Sequence, residues 1–329
     1  LLCLFNLIPM PPLDGASLLL LVLPERAATR YMDFMGQPAF SLLGLLVAWA
    51  ALFQFFGNGT FGYLDTASLF RWTWWAYGST IADDGHGYVV PLVVLALFYW
   101  KRNDLLAVPK RAWGPGLILV GGALVLHVAA YAVQQPRISI IALIAGVYGI
   151  LGVAWGPVFL RASFFPYVLM IFALPLGVQA EMITFPLRLF VTTIVEWIAQ
   201  HLLGFDVVRV GTGLFDASLT YQFDVAPACS GIRSLAAIFM LAIVYGYISF
   251  RASWRWLVMV AAALPLAILG NTFRLLIIVL AGEFGGQELG NKAHDNTFFS
   301  MLPYVPAIAG LALLGRWLMP RSDKSGAAD

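Results

Sequence analysis

Residues 256–282 read WLVMVAAALPLAILGNTFRLLIIVLAG, with Arg274 as the single charge. Roughly 27 residues at 1.5 Å each make a helix of about 40 Å, longer than the ~30 Å hydrocarbon core of a bilayer. Such a run predicts a transmembrane helix, not the core helix of a soluble domain. The whole chain agrees with it. Of 329 residues 61% are hydrophobic and 11% charged, against roughly a quarter charged in soluble domains, and the mean hydropathy is +0.85. A water-soluble globule is excluded. The net charge is +2 and the nineteen Lys and Arg are scattered in short loops, so no nucleic-acid partner follows. Cys3 and Cys229 are the two cysteines, too few for a disulfide framework or a Cys-based zinc site.

Further apolar segments are expected as helices at 16–23 (part of a broken span from Leu1), 39–56, 87–100, 113–133, 138–160, 164–180, 231–250 and 300–319. The fold class is therefore all-α, a polytopic transmembrane bundle of about seven to nine spans with a small extracytoplasmic hairpin-like segment. Three basic clusters mark the cytoplasmic side: Lys101, Arg102, Lys110 and Arg111; Arg251 and Arg255; Arg316, Arg321 and Lys324. Segments 57–86, 181–228 and 283–299 then face outward with most of the acids, including Asp83, Asp84, Asp206, Asp216, Asp224, Glu283 and Asp295. Within them, 185–203 reads as an interfacial helix interrupted by Arg188, Glu196, Gln200 and His201. Residues 205–225, rich in Val, Thr, Tyr and Phe around Gly211 and Gly213, read as a short hairpin or extended segment, not a span, leading to Cys229. Trp72, Trp74 and Trp75 read as an interfacial belt.

Three places on the outward side can carry chemistry. In Ala226-Pro227-Ala228-Cys229-Ser230-Gly231-Ile232-Arg233-Ser234, a cysteine stands at a helix mouth, where free N–H groups and the helix dipole favour a thiolate. Arg233, one turn on, adds positive charge. The competing reading of a lone cysteine is a small buried hydrophobe. In Asn271-Thr272-Phe273-Arg274, an arginine within a span, costly in lipid, shares a helix face with Asn271; the alternative is an arginine snorkelling to headgroups. His294, in the loop expected before the last span, can exchange protons near neutral pH.

These motifs, with Asp84-Gly85-His86-Gly87-Tyr88-Val89-Val90-Pro91 before them, resemble the exosortase/archaeosortase family of membrane cysteine transpeptidases over about residues 63–319. The resemblance implies Cys229 as nucleophile, with Arg274 and His294 completing the triad and Arg233, Asn271, Ser230 and His86 in support. No step of chemistry is assigned to His86. It also implies substrates that are membrane-anchored proteins with a C-terminal sorting tail: a Pro-Glu-Pro-like motif, one transmembrane helix and a basic cluster. The implied place is the cytoplasmic membrane, multi-pass, with an extracytoplasmic active site, no cofactor, an unknown acceptor, and a link to exopolysaccharide or cell-surface assembly.

The opening Phe5-Asn6-Leu7-Ile8-Pro9-Met10-Pro11-Pro12-Leu13-Asp14-Gly15 instead resembles the Leu-Asp-Gly region of site-2 zinc proteases, where the aspartate is a metal ligand. The His-Glu-x-x-His those enzymes need is absent, since His86, His127, His201 and His294 lie far apart, so zinc at Asp14 is not expected. Residues 1–56 are read as a remnant of such a domain, 57–320 as the exosortase-like domain and 321–329 as a disordered cytoplasmic tail. The start, Leu1 with no charged segment before the apolar stretch, reads as a truncated or fused end and not a signal peptide. His127, in mid-span, is expected to make one interhelical hydrogen bond. Two rival functions are weighed: a non-enzymatic transporter or polysaccharide-export subunit, to which broken helices and intramembrane polar residues are native, and a zinc intramembrane protease.

Overall fold

A computed structural model describes residues 15–35, 38–57, 66–79, 84–176, 181–217, 221–224, 232–295 and 304–319. The chain forms two compact units, residues 1–76 with 87–175, and residues 77–86 with 176–329.

The first unit holds α1 (Gly15–Leu18), α2 (Glu25–Met35), α3 (Pro38–Phe55), most of α4 (Leu69–Gly78), α5 (Val90–Trp100), α6 (Arg102–Ala107), α7 (Gly116–Ala132) and α8 (Pro136–Val168). A 3-10 turn, Leu169–Ala173, extends α8. The helical residues of α8 follow one another without a gap in sequence, but the backbone leaves helical angles at Gly156 (φ 85°, ψ 175°), just before Pro157. Contacts on either side pair residues symmetrically about that point. Tyr148 Oη donates to Leu160 O at 2.6 Å, Tyr167 Oη to Ile144 O at 2.7 Å, and Arg137 Nε to Pro175 O at 2.6 Å. In a straight helix the 23-residue step from Ile144 to Tyr167 would span about 34 Å. The run is therefore an antiparallel hairpin of two arms reversing at Gly156. The expected helix 138–160 and the expected 164–180 as far as Ala173 lie in the two arms, but the break is at Gly156 and not near 161–163, and residues 177–180 lie outside the described residues. Pro157 suits the first position of the second arm, where its missing N–H costs nothing.

The reversal sits among basic residues. Arg111 N and Trp113 N donate to Trp155 O and Val153 O at 3.4 and 3.0 Å, Lys110 Nζ lies 5.3 Å over the Trp155 ring, and Lys101 Nζ donates to Ala162 O at 2.8 Å. The α8 tip and the 101–111 loop thus share one end of the unit. A Cβ at Gly156 would lie 2.6 Å from Arg111 O, on a backbone already at positive φ. Gly156→Ala should therefore cost about 1–3 kcal/mol through strain, read as a lower thermal unfolding midpoint in detergent. An unchanged midpoint would show that the reversal tolerates a side chain.

The core of this unit joins α3, α4, α7 and α8 through Trp49, Phe53, Leu69, Trp72, Ala123 and Ile150. Trp49 Nε1 donates to Leu143 O at 3.0 Å, and the Trp49 ring fills the space beside Gly146. Of the tryptophans read as an interfacial belt, Trp74 is 69% exposed, but Trp72 is buried, with Arg137 5.6 Å above its ring. Helical spacing explains the correction: Leu69, Trp72 and Ala76 share the inner face of α4, and Trp74 points away from it. His127 bridges to Ser139 Oγ (3.1 Å) and Phe56 O (3.2 Å), an interhelical contact as expected plus one more.

The second unit contains α9 (Glu181–Ile198) with a π-turn (Ala199–Leu203), strands β1 (Val207–Val210), β2 (Gly213–Asp216) and β3 (Gln222–Asp224), then α10 (Ile232–Ser249), α11 (Ser253–Asp295) and α12 (Tyr304–Leu318). The hairpin expected at 205–225 is a three-stranded antiparallel sheet in the order β1-β2-β3. Helices α10, α11 and α12 pack on Ile238, Ala242, Met259, Ala263, Ala307 and Leu311. Small residues admit large ones between them: Gly246 meets Trp256, Gly310 meets Leu266, and Gly315 meets Tyr245. That is how helices approach closely where lipid gives no hydrophobic drive.

α11 departs most from expectation. It runs unbroken through Phe284, breaks at Gly285 and Gly286 (φ 64°, ψ −168°), and resumes to Asp295. His294, expected in a loop, therefore sits on helical backbone. From Ser253 to Phe284 is roughly 32 residues, about 48 Å, more than a bilayer core needs. The surplus is covered by protein: Leu275, Ile278 and Val279 pack with Val191, Val195 and Ala199 of α9 and with Val207, Leu214, Tyr221 and Phe223 of the sheet. Among the described residues two helical runs, Pro136–Ala173 (the hairpin that reverses at Gly156) and Ser253–Ala293, have the length and apolarity to cross a membrane, a third if Glu25–Phe34 and Ala39–Phe55 make one bent span; four shorter apolar helices accompany them. The protein is a mostly helical membrane protein. The seven to nine spans remain an expectation from sequence.

Candidate active site

On α11, about 27–32 Å from Ser253 by helical rise, Asn271 (5% exposed) and Thr272 are buried and Arg274 is half-buried. Thr272 Oγ1 is satisfied by Ile268 O at 2.9 Å. Among the described residues Asn271 Nδ2 has no hydrogen-bond partner. Among the described residues, Arg274 makes no hydrogen bond or ion pair. A buried amide without a partner is uncommon enough to need an explanation, and an amide one turn before an uncommitted guanidinium gives two donors with nothing yet to receive them.

Farther along α11, the sheet is fastened to the helix residue by residue. Tyr221, 2% exposed, donates from Oη to Glu283 Oε2 at 3.1 Å. Gln222 N donates to Gln287 Oε1 at 2.7 Å, and Gln287 Nε2 donates to Gln222 O at 3.0 Å and to Asn291 Oδ1 at 2.8 Å. The Phe223 ring lies over Gly282 and Gly290, where any Cβ would collide with it. The opposite side of the sheet is tied to α9, with Gln200 Nε2 donating to Val207 O at 2.7 Å and Arg209 N and Nε donating to the Glu196 carboxylate at 3.0 and 3.2 Å. β3 is thus held against the helix that carries Arg274 upstream and His294 downstream, and residues 225–231 lead from β3 to α10.

Burial, with the hydrogen bond to Glu283 and its charge adding to it, raises the Tyr221 phenol above its usual pKa near 10. The folded state holds this proton more tightly than the unfolded chain does. Stability from the contact is therefore whole below about pH 10 and is lost as pH rises through the higher folded value. Unfolding midpoints followed from about pH 8 to 11 should fall at the alkaline end, and less steeply in Tyr221→Phe. Equal slopes would remove Tyr221 from the alkaline transition.

Cys229 and Ser230 lie outside the described residues, as do the side chains of Arg233, in the first turn of α10, and His294, in the last turn of α11. His86 is half-buried in a 3-10 turn (Gly85–Tyr88) beside Asp84, which is 1% exposed and whose Oδ1 accepts from Leu176 N at 3.2 Å. Asp14 also falls outside the described residues, among which no group of three or more His, Cys, Asp or Glu could hold a metal.

Of the clasp residues, Glu283 was named only as an outward acid and Tyr221, Gln287 and Asn291 were not singled out; the pair Gly285-Gly286 just before Gln287 was the available signal. Arg188 carries a further correction. Read as a polar interruption of an interfacial helix, it is 5% exposed and shares the inner face of α9 with Thr184 and Thr192, while Met182, Phe185, Phe190 and Trp197 point outward. The inner face of α9 is mixed, since Val191 and Val195 are buried on it beside these polar residues.

Among curated proteins and solved structures there is no match to the chain. A family model described as transmembrane exosortase (Exosortase_EpsH) matches residues 74–313, which include the Asp84–Pro91 segment, Cys229, Arg274 and His294 and leave the first 73 residues outside. With that match running over well more than half its length, the chain belongs to the transmembrane exosortase family.

Proposed function

We propose that the protein is a cysteine peptidase and transpeptidase that cleaves C-terminal sorting tails of the Pro-Glu-Pro type from exported proteins, at the outer face of the cytoplasmic membrane. Its service to exopolysaccharide or cell-surface assembly belongs to the same proposal. The observation that carries the reading is the fastening of β3, the strand leading to Cys229, against the one helix that bears both Arg274 and His294. Family membership, which points to a membrane transpeptidase, supports it.

In this mechanism the Cys229 thiolate attacks the scissile carbonyl carbon and forms the C–S bond. The mouth of α10 and Arg233 favour the thiolate, with Ser230 next to it. The oxyanion takes hydrogen bonds from the Arg274 guanidinium and the unpartnered Asn271 amide. As the C–N bond breaks, the His294 imidazolium passes its proton to the leaving amine. The neutral imidazole then accepts a proton from water or an amine acceptor as that nucleophile attacks the thioester carbonyl, the C–S bond breaks and Cys229 leaves as thiolate, restoring the thiolate–imidazolium pair. His86 has no step in this scheme.

The test is a trap. The full chain in membranes, incubated with a tagged protein ending in a sorting tail, should yield a hydroxylamine-sensitive adduct at Cys229. Processing without any such adduct would return the protein to the metal-dependent reading, and neither processing nor adduct to the non-enzymatic one. Sidedness is tested separately. In a Cys3→Ala background an impermeant thiol reagent on intact cells should label Cys229; labelling from the cytoplasmic side alone would overturn the orientation.

A further inference from the structure

The seven residues 225–231 could reach roughly 25 Å if extended, so the covalent chain alone does not bring Cys229 to any one place. What limits it is how β3 is held. Gly286, at φ 64°, adopts a conformation open chiefly to glycine, and α11 restarts after it at Gln287. In the restarted segment Gln287, Asn291 and His294 stand at i, i+4 and i+7, on one helix face.

Gln287 behaves toward β3 as a neighbouring strand would. Its Oε1 accepts from Gln222 N at 2.7 Å, its Nε2 donates to Gln222 O at 3.0 Å, and the second Nε2 hydrogen goes to Asn291 Oδ1 at 2.8 Å. One amide thus satisfies both main-chain groups that an edge strand would leave open, and Asn291 fixes the amide's orientation. The aromatic rings of Tyr221 and Phe223, stacked 5.3 Å apart, bear on the same helix at Glu283, Gly282 and Gly290, so slippage by one residue would turn both rings to the wrong face.

We propose that Gln287 is a positioning residue: its two-bond clamp on Gln222 sets the register between the strand leading to Cys229 and the helical turn bearing His294. The inference rests on the reading of Cys229 and His294 as a reacting pair, and the experiment separates the two.

In a Cys3→Ala, His294→Cys chain, oxidative cross-linking reports directly on the approach of positions 229 and 294, since a disulfide needs Cα atoms within roughly 7 Å. With Gln287 intact the cross-link should form, and Gln287→Ala should slow it roughly tenfold or more, the worth of two lost hydrogen bonds. Gln287→Glu keeps the acceptor for Gln222 N–H and loses both donors; it should fall between, and it decides the matter if the alanine variant does not fold. The second readout keeps His294 and follows iodoacetamide alkylation of Cys229 against pH in the Cys3→Ala chain. His294→Ala should move the half-maximal point up by about one pH unit, since a neighbouring imidazolium lowers a thiol pKa, and Gln287→Ala should move it in the same direction. Equal cross-linking with and without Gln287, or a Gln287→Ala profile lying on the parent's while that of His294→Ala moves, overturns the clamp. No cross-link with Gln287 intact, together with an unmoved His294→Ala profile, overturns the Cys229–His294 pair itself, and the clamp with it.

Discussion

Cys229→Ala should abolish processing of a sorting-tail protein and leave no covalent adduct, whereas His294→Ala should bind the tail and lose rate by roughly 10²–10⁴, the usual worth of a positioned acid–base group. The two differ because the thiol supplies the bond itself and the histidine supplies a proton to the leaving amine. If the helix mouth and Arg233 keep Cys229 partly ionised, slow acylation survives without His294, and added imidazole recovers part of the rate. The measurement is single-turnover adduct formation in purified membranes with each variant. A His294→Ala chain that folds normally yet shows no slow adduct and no imidazole rescue would mean that the histidine is needed to ionise the thiol, and the contribution of the helix mouth would fall.

How much of this was legible beforehand depends on which physical signal each part leaves in the sequence. The spans are written in hydropathy, and a helix accompanies nearly every apolar segment. The reversal in α8 was misplaced because Arg161 and its neighbours continue the helix as well as the residues before them, and only the pair Gly156-Pro157, which ends one arm and starts the next, marks the turn. α11 was cut short at Gly282 because hydropathy falls where the helix gains protein neighbours: Glu283, Gln287 and Asn291 are polar because the sheet needs partners there, not because the chain has become a loop. Asn271 and Arg274 were legible because polar groups inside an apolar run stand out. Gln287 was not, since a glutamine after two glycines looks like any surface loop, and its role exists only once Gln222 is beside it. Arg188 was seen as a polar interruption, but that it faces inward on α9 was not legible, because amphipathicity alone does not say which face is covered.

Arg274→Lys should lower the rate by roughly 10²–10³, the cost of removing one oxyanion donor in acyl-transfer enzymes, though it preserves charge. A guanidinium is a planar fork that can give two hydrogen bonds to one oxygen or to neighbouring acceptors, while an ammonium is a compact point charge on a flexible four-carbon stem. Stability should hardly change, because among the described residues Arg274 makes no hydrogen bond or ion pair whose loss would be felt in the resting protein. The comparison with Asn271→Ala sharpens the expectation. That substitution removes a buried donor with no partner, so it relieves an unmet polar group in the resting state and should leave the unfolding midpoint equal or higher while slowing acylation. A rate loss without a stability loss at both positions is what a site built for a charge that appears only during reaction must give. Near-normal processing by the lysine variant would show that position 274 supplies charge alone, and a fall in unfolding midpoint matching the fall in rate would make both residues part of the scaffold.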